Sequence, residues 1–90
     1  MASKTHYLKT WHEFFYAVWE GKKSFEVREN DRDFFPGDEL VLQEWLPASK
    51  KFTGREIYAD VKYVLPGGQF GIEPGFVVMQ MTNIVREPGK

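Results

Sequence analysis

The chain contains no cysteine, no long apolar run and no excess of positive charge. Without cysteine it can form no disulfide and holds no thiolate-bound metal, which fits a reducing compartment. No segment approaches the roughly 18 consecutive apolar residues of a membrane span. The polar N-terminus leads into no apolar signal segment. The sequence therefore predicts a cytoplasmic protein without a membrane partner.

The charges are balanced, with twelve Lys and Arg against thirteen Asp and Glu and a net charge of −1. A protein that coats a nucleic-acid backbone usually needs a basic stripe. The most highly charged segment, residues 22–33, itself holds four basic and four acidic side chains. This balance argues against tight, nonspecific binding to long nucleic acid, and it favours a small polar ligand such as a nucleoside.

Patterns typical of metal and cofactor sites are also missing. The two histidines, His6 and His12, have no third ligand at suitable spacing. No Gly-rich phosphate loop of the Walker or dinucleotide type occurs. The segment 66–75 holds four glycines and two prolines, but its irregular spacing favours a wide turn or a mobile lid. We therefore expect neither a metal nor a cofactor.

Ninety residues form one domain, with its core over about residues 6–84. Aromatic side chains are plentiful: eight Phe, four Tyr and three Trp. Large rings bury much area per residue, which suits a small core.

Periodicity predicts one helix and five strands. The helix is expected over residues 11–20, and the strands over 5–9, 24–29, 39–45, 55–65 and 76–84. A loop is expected over 46–54, and a frayed tail over 86–90. One early helix with about five strands predicts an α+β fold, a small mixed β-barrel.

Three local patterns refine this prediction. A capping box from Thr10 to Glu13 predicts the helix start. An apolar helical stripe assigns the tryptophans Trp11 and Trp19 to the core; its members are Trp11, Phe14, Phe15, Val18 and Trp19. In the fourth strand, alternation places four residues on one face: Ile57, Ala59, Val61 and Tyr63.

The segment that follows the helix carries three charged side chains. Gly21 is suited to end the helix in a left-handed conformation. Glu26 and Arg28 are two residues apart and point to one face of a strand, while the residues between and before them point to the other. Lys23 lies at the mouth of this strand, near enough to join the pair. Charge pattern alone also allows an exposed salt bridge worth ~0–1 kcal/mol.

The same segment fits the pattern Gly-x-Lys-x-x-Glu-x-Arg, which resembles the signature of the ASCH family. ASCH domains are small barrels related in fold to the PUA domains that bind RNA. Three flanking segments agree in order and spacing, over roughly residues 6–84: residues 6–9, residues 30–34 and Gly37-Asp38. Together they are similar to a phage and bacterial ASCH-like subgroup of unknown function.

The resemblance also implies a reaction. Similar small bacterial enzymes remove acyl groups from N4-acylated cytidines with a motif lysine, a threonine and a distant glutamate. The lysine corresponds to Lys23, but the threonine position holds Glu26. Lys23 and Arg28 would then polarise the acyl carbonyl, and Glu26 would act as general base through water. Lys23 and Ser24 are alternative nucleophiles, and Glu73 is a candidate for the distant glutamate.

Aromatic residues are candidates for stacking a nucleobase, an interaction worth ~1–3 kcal/mol per base. Trp45, Tyr63 and Phe70 lie on strands or loops expected to rim a cleft, and Lys9 ends the first strand beside it. The leading hypothesis is thus an amidohydrolase acting on N4-acylated cytidine nucleosides. The alternative is a noncatalytic module that binds RNA or a modified nucleotide. A protein-interaction domain lacks support, because no exposed hydrophobic stripe is evident; the oligomeric state is left open.

Overall fold

The computed structural model describes residues 3–89 and is mostly β-sheet. Its elements, in chain order, are β1 (Thr5–Trp11), α1 (His12–Trp19), β2 (Phe25–Glu29), β3 (Glu39–Leu46), β4 (Lys51–Pro66) and β5 (Phe76–Glu87). Across these residues no helix is long and apolar enough to cross a bilayer.

The five strands form one mixed sheet in the order β1-β3-β4-β5-β2. The β1–β3 pair is parallel, and the other three pairs are antiparallel. The sheet curls into a half-barrel that stays open between its edge strands β1 and β2. This confirms the predicted α+β class with five strands and one early helix.

The core fills the concave face of the sheet, and α1 covers part of it. From the helix, Phe15 and Val18 are fully buried. The other buried apolar residues of the core come from the strands and from the segment before β3: Leu8, Phe34, Leu40, Leu42, Ile57, Ala59, Val61, Val77, Met79 and Met81. Burial of a large apolar side chain is worth about 1.5–3 kcal/mol, so this set supplies the main stabilising term of a small domain.

The helix begins one residue later than predicted, and the predicted capping box does not form. Trp11 is both the last residue of β1 and the helix N-cap, and it makes no side-chain capping hydrogen bond. The Thr10 hydroxyl donates instead to the Leu8 carbonyl oxygen at 3.0 Å. Thr10 lies on the inner face of β1, so its side chain points away from the first turn of the helix. The helix ends at Trp19, one residue earlier than predicted. The predicted left-handed Gly21 is confirmed, with φ 79° and an N–H that donates to the Val18 carbonyl oxygen.

Part of the predicted helical stripe faces solvent. Trp19 is partly buried and packs against the core, as predicted. Trp11 and Phe14 are each 49% exposed, so the assignment of Trp11 to the core is wrong. Strand alternation in β1 decides its direction, because Trp11 shares the outward face with Tyr7 and Lys9.

Four strands are longer than predicted, β1 and β3 by two residues and one, and β4 and β5 by more. β4 begins at Lys51 because Phe52 pairs with Trp45 across a tight hairpin whose turn spans residues 47–50. β5 continues to Glu87, so residues 86 and 87 of the predicted tail belong to a strand. A register shift between Val61 and Tyr63 breaks the alternation; Tyr63 therefore faces solvent and does not share the buried face of Ile57, Ala59 and Val61.

Candidate functional site

Three charged side chains meet at β2. Lys23 Nζ donates to Glu26 Oε1 at 2.6 Å, and Arg28 Nε donates to Glu26 Oε2 at 3.0 Å. Glu26 is only 3% exposed, whereas its two partners remain partly accessible. This is the convergence that the two-residue spacing of Glu26 and Arg28 predicts. A buried carboxylate between two cations has its charge compensated, which removes the main cost of burying it.

The alternation of β2 directs the charges inward and the apolar residues outward. Glu26 and Arg28 point to the concave side of the sheet, while Phe25 and Val27 are about half exposed. A strand that packed only against a core would show the opposite pattern. The inversion indicates that the interior of the half-barrel is polar at this end.

The opposite edge strand completes the charged cluster. Arg28 Nη1 donates to the Lys9 carbonyl oxygen at 3.1 Å, and Arg28 Nη2 donates to Thr10 Oγ1 at 2.9 Å. Arg32 Nη1 donates to the Tyr7 carbonyl oxygen at 2.9 Å. Two arginines therefore bridge the open edge between β2 and β1, where the sheet has no backbone ladder. The sequence did not identify Thr10 as a residue of the cleft. The only indication was its position two residues after Leu8, on the same inner face of β1.

Beside this cluster lies a cleft of about 700 Å³, a size typical of small-molecule sites. Its polar part consists of the charged cluster, and its apolar part consists of half-exposed aromatic rings. The lining residues are Lys9, Thr10, Trp11, Phe14, Lys23, Phe25, Glu26, Val27 and Arg28. Hydrogen-bonding groups and aromatic faces thus share one cavity, with Lys23 Nζ 5.1 Å from the centre of the Phe25 ring.

Of the predicted catalytic residues, two lie outside the cleft. Ser24 is exposed and is not among the lining residues; its carbonyl oxygen accepts from the Met81 N–H at 2.9 Å. Glu73 belongs to the 67–75 loop between β4 and β5, where its carbonyl oxygen accepts from the Phe76 N–H. The cleft therefore brings together Lys23, Glu26 and Arg28, but neither Ser24 nor Glu73.

Some of the residues predicted to contact a nucleobase also lie away from the cleft. Tyr63 on β4 and Phe70 in the 67–75 loop are strongly exposed, and neither lines the cleft. Lys9 lines it as predicted. Trp45 lies next to the cleft, with Lys9 Nζ 4.4 Å from the centre of its ring. Trp11 and Phe14, assigned by sequence to the helical stripe, take part in the cleft instead.

The 67–75 loop is a braced turn. The Gly67 N–H bonds the Phe76 carbonyl oxygen at 2.7 Å, and the Gly68 N–H bonds the Ile72 carbonyl oxygen at 2.8 Å. A Cβ at position 67 would lie 2.0 Å from the Glu73 carbonyl oxygen, so only glycine fits there. The sequence allowed a wide turn or a mobile lid here, and these contacts favour the wide turn.

A second charged cluster is centred on Glu44, which is 1% exposed. Arg55 donates to both of its oxygens, with each distance 2.8 Å. The Thr53 hydroxyl donates to Oε1 at 2.5 Å, and His12 Nδ1 lies 2.5 Å from Oε2. The hydrogen bonds from Arg55 are the main reason that the pKa of Glu44 falls from its ordinary 4.5 to about 2, although burial opposes them.

This second cluster fastens the helix to the sheet. The Arg55 guanidinium lies 4.5 Å from the centre of the Trp19 ring and 5.5 Å from that of Phe15, both on α1. Glu44 is also in register with Thr10 on the neighbouring strand. The Glu44 cluster therefore supports, from β3, the end of β1 that carries the cleft.

The charged groups of both clusters are satisfied by protein partners. Between residues 3 and 89, no buried side-chain nitrogen or oxygen lacks a hydrogen-bond partner. Nor do these residues contain a group of three or more His, Asp or Glu that could hold a metal ion. A ligand in the cleft would therefore bind to the remaining lone pairs and N–H groups of a cluster that is already assembled.

The protein is thus a small α+β half-barrel with a polar cleft that is rimmed by aromatic side chains. The chain belongs to the family described as a domain of unknown function, DUF3850, whose model matches residues 5–81. All the residues that line the cleft fall within this match.

A relative from Escherichia phage P2 is described as an uncharacterized 12.9 kDa protein in the GpA 3′ region. It is 41% identical over 61 residues, which are 68% of this chain and 54% of the relative. The chain thus spans about half the length of the curated relative it matches.

Proposed function

We propose that this protein is an ASCH-like, PUA-related domain whose cleft binds a nucleobase. The observation that carries the proposal is one cavity in which the Lys23–Glu26–Arg28 cluster lies beside half-exposed aromatic rings. The resemblance of residues 21–28 to the ASCH signature supports it independently. A half-barrel with an early helix is compatible with this family, and the finer assignment to the PUA-like fold is part of the proposal.

The chemistry of the cleft suits an amino-substituted pyrimidine. Such a base presents an exocyclic amine as donor, next to ring-nitrogen and carbonyl acceptors. Glu26 can accept from the amine, while Lys23 and Arg28 can donate to the acceptors. The faces of Trp11, Phe14 and Phe25 provide stacking area for the ring.

The ion pairs leave capacity for a ligand. Each Glu26 oxygen accepts one hydrogen bond from a cation, and an ionised carboxylate has about four lone-pair sites in total. Lys23 uses one of its three ammonium protons for this contact. A base can therefore hydrogen-bond to Glu26 and Lys23 without breaking the pair, so the site is preorganised rather than blocked.

Isothermal titration with a nucleoside panel tests this proposal. We expect cytidine or N4-acetylcytidine to bind more tightly than uridine, because uridine lacks the exocyclic amine. Lys23→Met and Glu26→Gln should weaken binding at least tenfold, whereas the exposed loop variant Phe70→Ala should bind as the unmodified protein does. Absence of binding by every nucleoside would refute the proposal.

A second candidate function is hydrolysis of N4-acylated cytidine, supported by a cleft that holds one carboxylate, Glu26, together with the two cations Lys23 and Arg28. In this reaction Glu26 takes a proton from water as the water oxygen attacks the acyl carbonyl carbon. Lys23 and Arg28 stabilise the resulting oxyanion. Glu26 then returns the proton to N4 as the C–N bond breaks, and the products are cytidine and a carboxylic acid.

Hydrolysis takes second place because the cleft offers no obvious hydroxyl nucleophile. Position 26 is glutamate rather than threonine, and Ser24 lies outside the cleft. The Thr10 hydroxyl donates its proton to the Leu8 carbonyl and accepts from Arg28, an arrangement that positions Arg28 rather than activating oxygen. An ammonium at Lys23 that donates to Glu26 has no lone pair with which to attack, so the hypothesis takes water as the nucleophile.

Chromatographic detection of cytidine released from N4-acetylcytidine tests this second candidate. The hypothesis predicts turnover that disappears in Lys23→Ala and Glu26→Gln and persists in Ser24→Ala. Binding without release of cytidine would reject hydrolysis and leave the binding function standing.

A further inference from the structure

Thr10 is the least exposed of the residues that line the cleft, at 2%. Its hydroxyl donates to the Leu8 carbonyl oxygen at 3.0 Å and accepts from Arg28 Nη2 at 2.9 Å. A hydroxyl has a single proton, so the bond to Leu8 leaves Oγ1 as an acceptor directed towards Arg28. The orientation of this buried acceptor is therefore set by the backbone of its own strand.

The guanidinium group of Arg28 is held on two sides. Nη1 and Nη2 donate to β1, at the Lys9 carbonyl oxygen and at Thr10 Oγ1, while Nε donates to Glu26 Oε2. Because the guanidinium is planar and rigid, the two contacts on β1 fix its plane, and the third contact then fixes the Glu26 carboxylate. Thr10 is the side chain of β1 in this chain of hydrogen bonds, since Lys9 contributes its backbone oxygen. It therefore acts on Glu26 through Arg28.

The two common pyrimidines differ at position 4 of the ring. Cytosine carries an amine that donates there, and uracil carries a carbonyl oxygen that accepts. A carboxylate facing position 4 pairs with the amine and repels the carbonyl oxygen, whereas a guanidinium N–H does the reverse. Both kinds of group lie side by side in the cleft, with Arg28 Nε 3.0 Å from Glu26 Oε2. The choice of base thus depends on which of the two groups faces position 4.

We propose that Thr10 is a positioning residue that makes the cleft select a 4-amino pyrimidine over a 4-oxo pyrimidine. By holding Arg28 Nη2 on β1, its hydroxyl keeps this N–H away from position 4 and leaves the Glu26 carboxylate facing the base. Without the hydroxyl, Nη2 loses its acceptor and can donate to O4 of uracil. This inference rests on the proposed binding of a nucleobase in the cleft, and it assigns the determinant of base choice to a residue outside the Lys23–Glu26–Arg28 cluster.

Titration of Thr10 variants with cytidine and uridine tests the inference. Thr10→Val keeps the branched shape and removes the hydroxyl, whereas Thr10→Ser keeps the hydroxyl and removes the methyl group. The ratio of the two dissociation constants is the informative quantity, because a defect that only lowers the folded fraction weakens both nucleosides alike. We expect cytidine to bind at least about tenfold more tightly than uridine in the unmodified protein and in Thr10→Ser. In Thr10→Val the two affinities should become nearly equal.

Two further variants serve as controls. Thr10→Ala removes the same hydroxyl and should give the same ratio as Thr10→Val, so the result does not depend on how the valine side chain packs. Arg32→Lys weakens the other side-chain bridge to β1, at the Tyr7 carbonyl oxygen. It should retain the cytidine preference, because Arg32 is not among the residues that line the cleft.

The outcomes distinguish the role of Thr10 from the function of the cleft. Failure of the unmodified protein to bind either nucleoside would refute the nucleobase site and the role of Thr10 together. Equal binding of cytidine and uridine by the unmodified protein would overturn the role of Thr10 and leave nucleobase binding standing. So would a cytidine preference that survives in Thr10→Val, or one that is lost equally in Thr10→Ser or Arg32→Lys.

Discussion

Arg28 Nη1 donates to the Lys9 carbonyl oxygen at 3.1 Å and so joins the two edge strands of the sheet. The same side chain holds Glu26 through Nε and Thr10 through Nη2. Side-chain hydrogen bonds, rather than a backbone ladder, thus span the open edge of the half-barrel. Because Arg28 also lines the cleft, the bridge across this edge and the proposed binding of a nucleobase depend on the same side chain.

Arg28→Lys should therefore destabilise the fold and weaken binding together. Lysine keeps the charge but lacks the planar set of donors that reaches three acceptors at once. We expect a loss of about 1–2 kcal/mol in the free energy of unfolding, measured in urea. Arg32→Lys is the matched control, since Arg32 spans the same edge with one hydrogen bond from a more exposed side chain. Equal losses in the two variants would contradict the role assigned to Arg28.

The Glu44 cluster should make stability depend on pH in the acid range. The pKa of Glu44 is lowered from 4.5 to about 2 in the folded protein. Its contribution is therefore complete above about pH 4.5 and is lost as the pH falls towards 2. A shift of this size corresponds to about 3 kcal/mol.

Glu44→Gln isolates this contribution. The variant should unfold more easily at pH 7, and the difference between it and the unmodified protein should shrink between pH 5 and pH 2. Thermal or urea unfolding between pH 2 and pH 7 measures this difference in the free energy of unfolding. Subtracting the value for the variant from that for the unmodified protein removes the contribution of other carboxylates such as Asp38, whose pKa is also lowered. A difference that stays constant down to pH 2 would contradict the depressed pKa.

Gly67→Ala should disrupt the braced turn between β4 and β5. The added Cβ would meet the Glu73 carbonyl oxygen at 2.0 Å and the Phe76 carbonyl oxygen at 2.6 Å. Gly71→Ala is the control: its Cβ meets nothing within 4 Å, but its φ of 78° leaves about 1 kcal/mol of backbone strain. The first variant should lose clearly more stability in urea than the second. Similar losses would show that the turn relaxes around the new methyl group.

Local spacing predicted the charged cluster, because the approach of Lys23, Glu26 and Arg28 depends on a few residues of one strand. Lys9 is predicted beside the cleft, but the contributions of Thr10 and Trp11 from β1 depend on the curl of the whole sheet, which no short window contains. The sequence therefore reveals one wall of the cleft and only part of the opposite wall.

The predicted directions of two aromatic side chains are wrong, and each error has a local cause. Trp11 continues both the helical stripe of α1 and the alternation of β1, and the strand determines its direction. Tyr63 follows a register shift in the β4–β5 pair, and a one-residue irregularity moves every later side chain to the other face. Nothing in the residues before Tyr63 signals that irregularity.

Binding of a nucleobase in the cleft is tested most directly by following the three tryptophan indole N–H signals in an NMR titration with cytidine. The Trp11 indole lines the cleft, whereas Trp19 packs against the core. Saturable shifts at Trp11 and at the backbone amides of Thr10 and Lys23, without a shift at Trp19 and absent in Glu26→Gln, are the predicted result. No saturable shift, or shifts centred on the 67–75 loop, would contradict binding in the cleft.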